Sequence, residues 1–172
     1  AAGTAAHWAG AEMITGNVVA EGQITPDGTV LDQEMLDSAQ VWADDVLRSV
    51  RREMVHVEQR LPAALHDQNW GTPDTYAEAS GIGYLWDFKH GHLIVEEYRN
   101  WQLANYAGLL WHAKPDSFPL ILTVVQPRAF HRGGPVRKWR TTVGELRPMW
   151  EHLALAAEDA TAPAPVARPS PA

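Results

Sequence analysis

Two acids and a lysine carry the most distinctive chemistry this sequence offers. Gly81-Ile82-Gly83-Tyr84-Leu85-Trp86-Asp87-Phe88-Lys89-His90-Gly91 reads as a short strand entered and left through glycines. Strand side chains alternate between faces, so Asp87 and Lys89 project to one side while Trp86 and Phe88 make the other apolar. Upstream, Gly71-Thr72-Pro73-Asp74-Thr75-Tyr76 supplies a second acid, Asp74. Downstream, Asn100-Trp101-Gln102-Leu103-Ala104-Asn105-Tyr106-Ala107 sets Gln102 and Tyr106 on one helix face at i, i+4. An Asp facing inward on a buried strand needs a partner. Two carboxylates converging on one spot repel unless a proton or cation lies between them. Hard oxygen donors suit Mg²⁺ or Mn²⁺, which bind through one or two carboxylates plus substrate phosphate. Such a cation polarises a phosphodiester and acidifies a bound water; Lys89 beside it would position that water or stabilise transition-state charge. Taken singly these features are ordinary, since an exposed Asp-x-Lys pair contributes less than about 1 kcal/mol. Their order and spacing make the case.

The elements that must position them follow from pattern. Residues 3–15 read as a helix stopped by Gly16, and Thr25-Pro26-Asp27-Gly28 as a turn. Asp32 is placed to cap a long helix to about Arg52, with Met35, Leu36, Ala39, Trp42, Val46, Leu47 and Val50 inward. Asp44, Asp45, Arg48, Arg51 and Arg52 would form its wet side. Strands are predicted over 55–61, 73–78 and 82–89, the last two joined through Ser80-Gly81. Residues 92–96 read as a short extension into a helix over 99–113. The apolar, β-branched run from Pro119 to Gln126 suits a strand covered on both faces. An edge strand over 136–142 and a closing helix over 143–157 complete the domain, and residues 158–172 form a Pro/Ala-rich flexible tail. The expected fold is α/β (α+β), a mixed central sheet flanked by helices.

Composition narrows the class. A chain of 172 residues with 45% hydrophobic residues and eight Trp fills one core, spanning residues 1–157 here. No cysteine is present, which rules out disulfides, zinc-thiolate sites and iron–sulfur clusters. A net charge of −7 argues against a general nucleic-acid coat but leaves room for a local basic groove. No apolar run approaches the ~18 residues of a membrane span and no signal peptide is visible. The opening Ala1-Ala2-Gly3 lacks Met, as a fragment or processed chain would.

The combined pattern resembles the PD-(D/E)XK nuclease superfamily, in its RecB-like and lambda-exonuclease-like branch. It looks closest to phage-encoded members with a Gly-Thr-x-Asp strand, an Asp-Phe-Lys-x-Gly strand and an Asn-x-Gln-Leu-x-x-Tyr-Ala helix. Gly3-Thr4-Ala5-Ala6-His7 resembles the helix-borne first motif, and Val125-Gln126-Pro127-Arg128 resembles a feature of the phage group. The resemblance implies a restriction-endonuclease-like core and a DNA phosphodiesterase, most plainly an exonuclease of phage recombination or DNA processing. It implies a metal centre of His7, Asp74, Asp87 and Phe88 binding Mg²⁺ or Mn²⁺. Lys89 would be catalytic, with Gln102 steadying DNA or the active-site water and Tyr106 supporting that face. Linear duplex or single-stranded DNA would be the substrate, in a bacterial or phage-infected host cytoplasm. A homo-oligomer and a recombination partner protein stay open. The phage group carries Glu just before Gly-Thr, where this chain has Ala2; Glu12 is the nearest candidate to stand in for it. That departure motivates an alternative, a DNA-binding or assembly protein that keeps the fold with weakened or lost turnover.

For nucleic-acid contacts, the sequence offers Arg128, Arg132, Arg137, Lys138 and Arg140 around a Gly-Gly-Pro loop. Guanidinium forks suit phosphate, and Trp139 in this stretch is one ring on which a base could stack. A solvated loop balancing an acidic protein is the competing reading.

Overall fold

A computed structural model describes residues 2–162. In chain order it holds helices α1 (Ala2–Thr15) and α2 (Gln33–Ser49), a 3₁₀ turn (Arg52–Met54), and strands β1 (Val55–Val57), β2 (Thr75–Ala79) and β3 (Ile82–Phe88). Helix α3 (Trp101–Trp111), strands β4 (Pro119–Val125) and β5 (Val136–Thr142) and helix α4 (Val143–Thr161) follow. The five strands form one sheet in sequence order, antiparallel except for the central β3–β4 pair. That pair is parallel because α3 carries the chain back between them. The fold is α+β, as the pattern predicts.

Each face of the sheet has its own core. Alternation on β3 sends Trp86 and Phe88 to one side, where they join Ala5, Ala9, Trp42 and Val46 of α1 and α2. Leu85 goes to the other, with Leu120, Leu122 and Val124 of β4 and the apolar faces of α3 and α4. Asp32 caps α2 by accepting from Met35 N, and α4 starts with a capping box between Thr142 and Glu145. The β2–β3 hairpin turns on Ser80 (φ 52°) and Gly81 (φ 74°), both left-handed as a two-residue hairpin loop requires.

Trp42 is the piece on which the first core and the later site both rest. Its fully buried ring stacks on Phe88 at 5.0 Å, and its indole N–H donates to Thr75 Oγ1 at 3.1 Å. Gly10 of α1 lies directly on it: a Cβ there would stand 2.3 and 2.6 Å from ring carbons. Because the ring is held on two sides, it cannot retreat. Gly10→Ala should therefore cost about 2–3 kcal/mol, read as a lowered urea midpoint with an unchanged slope.

Several boundaries differ from the sequence expectation. Strand β1 ends at Val57 because Glu58 turns to φ 46°, and Leu61 makes only an isolated bridge to Gly71. Helix α2 stops at Ser49, where Val50 turns extended, and β2 begins at Thr75, after a proline that has no N–H to give a ladder. Residues 92–96 lead toward α3 as bends and irregular backbone. Asp45, expected on the wet side of α2, is buried, accepting from Trp86 Nε1 at 2.9 Å and pairing with Lys138 at 2.9 Å. Helix α4 runs to Thr161, so residues 158–161 continue it rather than begin a tail. The rest of the expected tail, residues 163–172, lies outside the described residues.

Candidate metal centre

The peptide of Phe88, at the carboxyl end of β3, is the meeting point. Its N–H donates to Asp74 Oδ2 at 2.6 Å, and its carbonyl oxygen lies 2.8 Å from His7 Nε2. Asp74 arrives on the residue just before β2, whose first residue Thr75 pairs with Trp86. His7 arrives from the middle of α1, its ring 5.0 Å from the Phe88 ring and 5.7 Å from that of Trp42. The second imidazole nitrogen, Nδ1, lies 3.6 Å from Asp74 Oδ1. The stack of Trp42 on Phe88 thus fixes where α1 can deliver its histidine.

Asp87 and Lys89 project together toward α3, as alternation requires. Lys89 Nζ lies 3.0 Å from Asp87 Oδ1 and donates to Gln102 Oε1 at 3.0 Å. Gln102 is in the first turn of α3, which Asn100 caps by accepting from the N–H groups of Gln102 and Leu103. Tyr106, one turn on, is not brought to Lys89. Its ring packs against Gly71, where a Cβ would stand 2.6 Å from Cε1. Glu12 is not brought in either; it accepts from Asn17 at the far end of α1.

Burial sets the electrostatics. It pushes Asp74 up to about 6, against the Phe88 N–H and the Lys89 charge, which favour the carboxylate. Burial and then the charge of Asp74 push Asp87 up to about 6, with Lys89 pulling the other way. Burial lowers His7 below its ordinary value, keeping the imidazole neutral and its lone pair available. Asp87 Oδ2 is buried with no hydrogen-bond partner among the described residues. A buried carboxylate oxygen without a hydrogen-bond partner, beside a second raised carboxyl, is an oxygen-donor pair of the kind that would suit a cation.

A hard divalent cation fits these donors. Octahedral neighbours at ~2.1 Å from one ion lie roughly 3 Å apart, close to the 2.8 Å between His7 Nε2 and Phe88 O. Without a cation the same approach is an N–H···O bond from the Nε2 tautomer; with one, the proton belongs on Nδ1, facing Asp74. No group of three or more His, Asp and Glu side chains among the described residues forms a ready metal cage. The two carboxylates would thus be completed by main-chain, water or substrate oxygens, the manner that suits Mg²⁺ and Mn²⁺. A cleft of about 780 Å³ opens beside the cluster, lined in part by His7, Glu58, Phe88, Lys89, His90 and Gln126.

Cation binding should then compete with protons. The thermal stabilisation given by Mn²⁺ should be full at pH 7.5 and largely lost by pH 5, as both carboxyls protonate through about 6. At a hundredfold excess over Kd the pH 7.5 gain is ~2.7 kcal/mol, or roughly 5–10 °C in Tm for a chain this size. In the metal-free protein the sign reverses. From the ordinary 3.8 up to about 6 the folded state keeps protons that the unfolded state has released, so this pair's contribution to stability falls as pH rises through that window.

Glu58 is the residue that sequence reasoning missed. It lines the cleft, and its charge raises both His7 and Asp74. Its N–H donates to Asp74 O at 2.9 Å, tying the end of β1 to the acid. Alternation through 55–61 hides it, because the left-handed turn at Glu58 breaks that alternation.

The basic stretch divides. Arg137 is a correction: its side chain is 1% exposed and donates to Val95 O (2.6 Å), Gln126 Oε1 (3.0 Å) and Gly134 O (3.0 Å), beside Glu97. It braces two loops and is in no position to meet phosphate. Arg137→Ala should cost about 3 kcal/mol or more, because it strands buried acceptors and an acid; a large fall in Tm without DNA present checks this. Lys138 is held by Asp45 and Arg128 by Glu34 at 2.8 Å. Arg132 and Arg140 are exposed, and the ion pairs among the described residues leave both unpartnered.

No helix among the described residues is long and apolar enough to cross a membrane. Comparison with curated proteins gives no match. The protein family of unknown function DUF2800 matches residues 1–171, and the chain belongs to that family.

Proposed function

We propose that this protein is a Mg²⁺- or Mn²⁺-dependent DNA phosphodiesterase of the PD-(D/E)XK type, with the RecB-like arrangement of its site. One observation carries the reading: residues scattered in the sequence converge, with His7 and Asp74 meeting the Phe88 backbone, Lys89 linking Asp87, on the other side of Phe88, to Gln102, and His7, Phe88 and Lys89 lining one cleft. Asp74 and Asp87 would hold the cation, with the Phe88 carbonyl and neutral His7 completing its protein donors. When bound, the cation would polarise a phosphoryl oxygen and favour ionisation of the attacking water. Lys89, steadied by Asp87 and Gln102 and lining the cleft, would present its one remaining N–H to that water or to the charge that develops on phosphate. Gln102 acts by fixing the lysine's direction. Direct attack by water needs no covalent enzyme intermediate, and none of the assembled groups requires one. The work would be done in a bacterial or phage-infected host cytoplasm.

Incubating linear duplex, circular duplex and single-stranded DNA with Mg²⁺, Mn²⁺ or EDTA tests the proposal. Degradation with either metal and none in EDTA is expected; intact DNA under every condition contradicts it. Ala2 in the first turn of α1, where the similar phage proteins carry Glu, favours one rival: salt-sensitive DNA binding without cleavage.

A further inference from the structure

A second groove, of about 600 Å³, lies where the loop before α3 meets β5 and the start of α4. Tyr98 is 67% exposed there, its ring edge-on to that of Trp139 at 5.6 Å. Arg99 and Arg140 line the same groove, and among the described residues neither has an acidic partner within ion-pair distance. Its two acids are engaged elsewhere: Glu97 faces Arg137, and Glu145 closes the α4 capping box and accepts from Thr141. What the groove offers a ligand is therefore an exposed aromatic ring together with two guanidinium groups that have no acidic partner among the described residues.

The groove adjoins the catalytic cleft. Val95 lines the cleft and Glu97 lines the groove, so the segment between them is a shared wall. Arg137 holds that wall from beneath through Val95 O and Glu97. Beyond the groove the chain enters α3 at Asn100, two residues before the glutamine that touches Lys89.

From this we infer that the groove binds single-stranded DNA, one unpaired base stacking on Tyr98 with flanking phosphates on Arg99 and Arg140. Stacking needs the π-face of a base that is not in a duplex, while the guanidinium groups recognise backbone without regard to sequence. This rests on the nuclease reading and extends it: the strand at the metal centre continues, unpaired, over the shared wall. Duplex DNA would not use the ring.

Fluorescence anisotropy with short labelled oligo-dT in EDTA tests the inference without cleavage. Tyr98→Ala should weaken binding about tenfold to a hundredfold, while Tyr98→Phe, which keeps the ring, should bind within about twofold of wild type. Arg140→Glu should weaken binding by a similar factor and flatten its salt dependence. Blunt duplex should respond little to Tyr98→Ala. Unchanged Tm values would show that these exposed substitutions leave the fold intact. Wild-type affinity in Tyr98→Ala, equal losses in Tyr98→Phe, or equal losses on duplex would each overturn the inference. The two readings fail separately. Metal-dependent cleavage with Tyr98-independent binding sinks the groove alone. Tyr98-dependent binding by a protein that never cleaves sinks the nuclease reading and leaves the groove standing.

Discussion

Asp87→Ala should lower metal-dependent DNA hydrolysis by about 10³-fold or more, and it should also erase the Mn²⁺-induced rise in Tm. The two losses share a cause. Asp87 is 3% exposed, gives one oxygen to Lys89, and has a second oxygen without a partner. In the proposed reading, that second oxygen is the one that would bind the cation. The fold should survive, because the side chain removed is a raised, poorly satisfied buried acid rather than a packing element. Lys89, 28% exposed and still bonded to Gln102, is not stranded. Metal-free Tm close to wild type, with no Mn²⁺ shift at pH 7.5, is the expected signature. A variant that keeps the shift removes Asp87 from the metal centre.

Lys89→Ala should divide the same two readouts. Turnover should fall by about 10²-fold to 10³-fold, the usual cost of losing a positioned transition-state donor. The Mn²⁺ shift should persist, since a neighbouring positive charge is removed and Asp87 Oδ1 is released to the cation. Lys89→Arg should not restore turnover, because a planar fork cannot reproduce a compact ammonium held between Asp87 and Gln102. Single-turnover rates with metal affinities measured on the same preparations separate the cases. Loss of metal affinity in Lys89→Ala as large as in Asp87→Ala would mean that the lysine serves the site only by holding the carboxylate.

Much of the fold was legible because its signals are local. The Ser80-Gly81 turn, the apolar run of β4, the period of α2 and its Asp32 cap all act within a few residues, and the structure has each of them. The pairing of Asp87 with Lys89 was legible for the same reason, alternation on one strand. What stayed hidden depends on partners distant in sequence. Asp45 and Lys138 look like surface charges until α2 is laid over the sheet, and Arg137 looks like a phosphate ligand until residues 95–97 fold over β5. Phe88, which the resemblance already implies for the metal centre, brings its backbone rather than its ring to the site, a role that no side-chain pattern by itself reveals. Trp42 reads as one more core residue, yet it orients His7 and Thr75 together. Glu58 is concealed by a single left-handed residue.

The most direct measurement is a crystal soaked in Mn²⁺ above pH 7, with the ion located by its anomalous scattering. The account predicts a peak bonded to carboxylate oxygens of Asp74 and Asp87 and to the Phe88 carbonyl, with His7 Nε2 turned to it and Lys89 alongside. Mn²⁺ bound elsewhere, or no peak there while both carboxyls are ionised, would contradict it.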